Sequence, residues 1–114
     1  MFVGGPGYQP SDETLKNIVN DIDATVEDIS NVRIVDYEFK SNPGDVHSGT
    51  IAQDWKNILP NAIREIDDDK HISIDYAGAA LISSVIDARE IVELKKENAK
   101  LKARLAAIEE KLGL

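Results

Sequence analysis

The stretch IVELKKENAKLKARLAAIEEKL, Ile91 to Leu112, decides how this chain is built. Its apolar residues and one asparagine fall at Ile91, Leu94, Asn98, Leu101, Leu105, Ile108 and Leu112. The steps alternate three and four, the spacing of a coiled-coil seam, with Ile91, Asn98, Leu105 and Leu112 at a and the others at d. Flanking charges agree: Glu90 precedes Lys95, Glu97 precedes Lys102 and Arg104 precedes Glu109, each pair opposite in sign at g and the next e. Parallel, in-register helices select that match, whereas an ordinary surface helix does not need it. Strand number stays open on this ground. A buried asparagine at a accompanies dimers, while Leu105 at a with Ile108 at d leans toward three or four strands. So short a coiled coil is marginal alone, so the preceding residues must support it.

The chain has 114 residues, which predicts one small domain plus this oligomerisation helix. Hydrophobic residues at 42% and charged residues at 30% describe a folding chain rather than a disordered one. The net charge of −8 argues against a nucleic-acid backbone as partner, because phosphate contacts need clustered Lys and Arg. Without cysteine there is neither a disulfide framework nor a thiolate metal site. His47 and His71 lie far apart without metal-ligand spacing, so no metal and no cofactor is expected. No apolar run approaches a membrane span and the start lacks a signal-peptide pattern, leaving a cytoplasmic default with no membrane partner.

Residues 1–10 (MFVGGPGYQP) hold three of the seven glycines and two of the four prolines, which excludes a helix. They read either as an expression remnant or as the end of an upstream stalk. From Ser11 the character changes. Ser11 is a good N-cap, Asp12 and Glu13 suit the positive end of a helix dipole, and Leu15, Ile18 and Val19 give an apolar face, predicting a helix to about Asn20. Thr25 to Ile29 predicts another turn or two. Val32 to Phe39 is the best strand, bounded by a turn with Pro43-Gly44 at the centre of a type II geometry, and Val46 to Ala52 returns beside it. Gln53 to Leu59 predicts a short helix carrying Trp55, Ile58 and Leu59 inward, with Trp55 as core anchor. Ala62 to Ile66 and Ile72 to Tyr76 form a second hairpin around Asp67-Asp68-Asp69, a solvated turn lacking the ligand ladder of a calcium loop.

From Ala77 onward everything reads as helix, about 50 Å of it, beginning a residue or two after Gly78. Leu81, Ile82, Val85, Ile86 and Val92 form a broad apolar stripe there, while Asp87 at an extrapolated d position stops the seam from extending backward. The first half should pack on the globular part and the second on copies of itself. The fold class is α+β: small hairpins and short helices packed on a long C-terminal helix. Residues 11–90 form the globular part and 91–114 the coiled coil.

Four stretches in order resemble the C-terminal intramolecular chaperone domain of endosialidases and of phage tail spikes, fibres and neck appendages, a self-cleaving peptidase family. They are Ser11-Asp12-Glu13-Thr14-Leu15-Lys16, then His47-Ser48-Gly49-Thr50-Ile51-Ala52-Gln53 with a segment ending at Leu59-Pro60, then Ile72-Ser73-Ile74-Asp75-Tyr76, and the terminal coiled coil. The resemblance spans residues 11–113. It implies a homotrimer that registers the upstream fibre or spike stalk of the same polypeptide while it folds, in the host cytoplasm during virion assembly. The domain then releases itself from the mature fibre. It implies Ser11 as nucleophile, Lys16 as base and scission between Ser11 and Asp12, a single-turnover serine endopeptidase with a Ser-Lys dyad. His47 matches a position linked to processing. A serine hydroxyl needs a base to take its proton, and a lysine serves only when its surroundings favour the neutral amine. Asp12 and Glu13 oppose that, predicting slow, assembly-dependent cleavage. Thr14 stands where this family often has a basic residue, and Asn17 follows Lys16 directly, one place earlier than is common.

Two other readings compete. One is a purely structural trimerisation module in which Ser11 is only a cap. The other is a membrane-bound transcription factor carrying a related trimerising self-cleavage domain, for which this acidic stretch offers no DNA-binding segment.

Overall fold

The computed structural model describes residues 8–114, so the reading of residues 1–7 lies outside it. A 3-10 turn at Glu13–Leu15 is followed by α1 (Val26–Ser30), β1 (Ile34–Glu38), β2 (Val46–Thr50) and α2 (Ala52–Trp55). A 3-10 turn at Pro60–Ala62, β3 (Ile63–Glu65), β4 (Ile72–Ile74) and α3 (Tyr76–Leu112) complete it. The architecture is α+β, with two separate antiparallel hairpins, β1-β2 and β3-β4, and one long C-terminal helix.

The first hairpin pairs Ile34 with Thr50 through to Glu38 with Val46. Its turn has the expected geometry: Gly44 adopts φ 91°, and the Asp45 N–H donates to the Asn42 carbonyl at 3.4 Å. A residue at φ near +80° in that position is what a type II turn demands, and glycine meets it without a Cβ clash. The returning strand ends at Thr50, two residues short of the expected Ala52, because Ala52 already begins α2. α1 is started by a capping box, Thr25 Oγ1 accepting from Asp28 N–H while the Asp28 carboxylate accepts from Thr25 N–H.

Three predicted boundaries are corrected. The helix from Ser11 toward Asn20 is only the 3-10 turn, and its N-cap is Asp12, not Ser11. Residues 16–25 lack regular structure, with Ile18 73% and Val19 91% exposed. A short helix persists only when its apolar face is buried, and here that face is not. The long helix starts at Tyr76, ahead of Gly78, because the Asp75 carboxylate accepts from Gly78 N–H at 3.0 Å and caps it there. The helix of Gln53 to Leu59 is tighter than expected: α2 ends at Trp55, and the N–H groups of Ile58 and Leu59 both bond back to the Trp55 carbonyl.

The core is small. Trp55, Leu59 and Ala79 are buried, with Ile29, Val32, Ile63, Ile74 and Ile82 partly buried around them. Ala79 brings the first turns of α3 onto α2 and β4, the side of the helix expected to meet the globular part. Beyond Ile86 α3 is mostly open to solvent. The exposed surface is 10063 Å², against roughly 6,200 Å² for a compact monomer of this mass. The radius of gyration is 21.3 Å, where a compact domain of this length has about 13 Å. Large side chains from Leu81 and Val85 to Leu105 and Leu112 are among those left open.

Candidate functional site

The tight turn at Glu13–Leu15 sets the geometry at the N-terminal end. Leu15 N–H donates to the Asp12 carbonyl at 3.0 Å and Lys16 N–H to the Glu13 carbonyl at 3.1 Å. Lys16 itself is extended, with φ −119° and ψ 140°. The chain thus folds back within one turn, and the Lys16 ammonium donates to Ser11 Oγ at 2.6 Å. That is hydrogen-bond reach, the separation a base needs to take a hydroxyl proton, once the amine is neutral. Both side chains are exposed.

Asp12, on the other side of the proposed scissile bond, is occupied differently. Its Oδ1 accepts from both Thr14 N–H (2.8 Å) and Thr14 Oγ1 (2.7 Å). These two bonds hold its carboxyl below the usual carboxylate range, the side-chain bond being the larger cause. Among the described residues no ion pair joins Lys16 to a carboxylate. The Asp12 carboxylate is thus bonded to Thr14 rather than to Lys16. An acceptor side chain two residues before a threonine is the recognisable signal for that local bond, and Ser11, as the more obvious cap, obscured it.

His47 is elsewhere in the hydrogen-bond network. It stands on β2 opposite Tyr37, with ring centroids 5.7 Å apart and stacked, and lies 5.9 Å from the Phe39 ring. Its Nε2 bonds to Asp45 Oδ2 at 3.0 Å, not to Ser11 or Lys16. Within this chain its role is to close the hairpin tip.

The second stretch that carried the resemblance is held by a polar cluster that the sequence did not announce. Arg33 grips Asp54 through Nε and Nη2, both at 2.9 Å, and Arg33 N–H adds a third bond at 3.0 Å. The side-chain bonds from Arg33 are the main reason the Asp54 carboxyl titrates low, and they push Arg33 up in turn. Thr50 Oγ1 donates to the Arg33 carbonyl at 2.6 Å and accepts from Trp55 Nε1 at 3.0 Å. These bonds tie the first hairpin to α2 and fix the indole. A side chain at position 49 would intrude here: a Cβ on Gly49 would stand 2.6 Å from the Tyr76 hydroxyl. Among the described residues no group of His, Asp and Glu could hold a metal ion.

The seam residues Ile91, Leu94, Asn98, Leu101, Leu105, Ile108 and Leu112 lie on α3 and are all open to solvent in the single chain. Gly113 ends the helix at φ 72°, and Leu114 N–H reaches back to the Glu109 carbonyl at 3.0 Å.

Known proteins align with nearly the whole of this chain. It is 25% identical over 125 residues to Myelin regulatory factor homolog 1 of Caenorhabditis elegans, covering 99% of this chain and 13% of that protein. It is 29% identical over 126 residues to Myelin gene regulatory factor-like A of Dictyostelium discoideum, covering 92% of this chain and 13% of the relative. This chain thus corresponds to about one eighth of each relative's length. Residues 11–64, just under half of the chain, match the family described as chaperone of endosialidase.

Proposed function

We propose that this domain is an intramolecular chaperone that trimerises through α3 at the end of a phage tail fibre or spike, registers the stalk, and then cuts between Ser11 and Asp12. The observation that carries the chemistry is the 2.6 Å approach of Lys16 Nζ to Ser11 Oγ. The apolar seam from Ile91 to Leu112, open along α3, supports the association. Interchain stalks fold slowly because their contacts are non-local, and a three-helix clamp raises the local concentration of the ends to be joined, to roughly millimolar for short tethers. Once the clamp is removed, unfolding can no longer be reversed by the same route, so the stalk is kinetically trapped.

The step balances as an acyl transfer. Neutral Lys16 takes the Ser11 Oγ proton, the oxygen bonds to a Ser11 carbonyl carbon, and the bond to the Asp12 nitrogen breaks as that nitrogen gains the proton. Water then hydrolyses the ester, leaving a carboxylate at Ser11. Only two atoms separate a serine Oγ from its own carbonyl carbon, so attack within one residue would close a four-membered ring, far from a near-attack geometry. A cut at this bond therefore takes the hydroxyl from a neighbouring copy, activated by that copy's own Lys16.

Mass spectrometry of freshly purified chain tests the reading: fragments ending at Ser11 and starting at Asp12 are expected, and they vanish in Ser11→Ala and Lys16→Ala. Persistently intact trimer would remove the peptidase claim. What would remain is the second reading, a non-catalytic trimerisation module, which the open seam supports without any help from Ser11.

A further inference from the structure

We infer that Thr14 is a positioning residue for the Ser11–Lys16 pair, holding the Asp12 carboxylate on its own hydroxyl and N–H so that Lys16 is left to Ser11. The inference rests on the dyad reading and adds the residue that regulates it.

Asp12 and Lys16 are four residues apart, the separation at which opposite charges on a helical surface commonly pair. A carboxylate beside Lys16 would stabilise the ammonium, the opposite of what a base requires. In this turn the carboxylate is engaged elsewhere: one oxygen, Oδ1, accepts both Thr14 bonds, at 2.8 and 2.7 Å. The same contact makes Asp12 the cap of the 3-10 turn, and that turn is what brings residue 16 back to residue 11. Asp12 and Glu13 are the titratable groups of Lys16's own turn. No ion pair reaches Lys16 from any other element among the described residues. Releasing Asp12 would therefore add the most direct competitor for the amine. The lowered Asp12 carboxyl agrees with a group kept ionised and satisfied by Thr14.

The test compares Thr14→Val, Thr14→Ser and the double variant Asp12→Asn/Thr14→Val in the full chain. Thr14→Val keeps the shape and the backbone N–H but loses the hydroxyl. It should slow cleavage and move the rising limb of the pH–rate profile to higher pH, roughly tenfold in rate at fixed pH for each unit moved. Thr14→Ser should behave as wild type. The double variant should return the rising limb to its wild-type pH, because a neutral amide at position 12 no longer competes for the ammonium. A Thr14→Val chain that cleaves as wild type overturns the inference. So does one that slows without a shifted profile or without that return in the double variant, since that is a merely structural effect. A second arm does not depend on cleavage. In the uncleavable Ser11→Ala chain, NMR titration of Lys16 Nζ should move upward with Thr14→Val, and an unmoved titration overturns the inference by itself. Ser11→Ala and Lys16→Ala chains that are still cut would instead sink the dyad reading.

Discussion

Lys16 Nζ and Ser11 Oγ meet at 2.6 Å across a single 3-10 turn, with the carboxylate between them in sequence bonded to Thr14. Proximity of this kind supplies orientation, while proton transfer still needs an amine that can become neutral. Arginine cannot meet that condition, since its guanidinium stays protonated. Lys16→Arg is expected to keep the fold and the assembly yet yield no fragment ending at Ser11, measured by mass spectrometry after days at neutral pH.

The strain of a four-membered ring predicts cleavage between copies. When a Ser11→Ala chain is co-expressed with a differently tagged wild-type chain, the Ser11→Ala chain should itself be cut after residue 11 in mixed assemblies. The same chain expressed alone should stay whole. Tagged fragments resolved by mass spectrometry decide it, and cutting confined to wild-type chains would contradict attack from a neighbour.

The uncovered seam predicts a concentration-dependent assembly. Wild type should sediment at the mass of three chains. Leu101→Asp with Leu105→Asp, at positions 59% and 56% exposed in the single chain, should sediment as one chain. Two charges in a shared apolar seam cannot be solvated once the helices close. A dimer mass for wild type would contradict the trimer.

Trp55 is 7% exposed and its indole N–H is bonded to Thr50 Oγ1. Trp55→Ala removes the largest side chain from a core of few residues, and should cost about 3–5 kcal/mol in chemical denaturation at fixed protein concentration. Such a loss is a large fraction of a small domain's stability.

Acid should weaken the fold through two carboxylates. Asp54 is held below its ordinary value by side-chain bonds from Arg33, and Asp67 by its bond to His71 at 2.7 Å. A carboxyl depressed in the folded state contributes fully above the unfolded value of about 3.9, and its contribution fades as pH falls through the lower folded value. Thermal unfolding followed from neutral pH downward should show the midpoint falling at the acid end. Asp54→Asn should lower the midpoint at neutral pH and flatten that acid fall.

How much was legible beforehand follows the range of the interactions. The α3 heptads, the Pro43-Gly44 turn and both hairpins depend on residues close in sequence, so periodicity and turn chemistry revealed them. Asp75 escaped notice as the cap of α3 because the glycine at position 78 argued for a later start. The tie between Arg33 and Asp54 spans 21 residues and left no local pattern.

At the opposite end of the chain the division is sharper. Sequence alone determined that Ser11 and Lys16 stand five apart at the start of a domain closed by a heptad helix. It could not tell a capping serine from one facing an amine. That was decided by tertiary structure: the apolar face of Leu15, Ile18 and Val19 found no cover, so the helix stopped after one turn. The Asp12 carboxylate then took the capping bonds through Thr14, and the extended Lys16 was free to turn back onto Ser11.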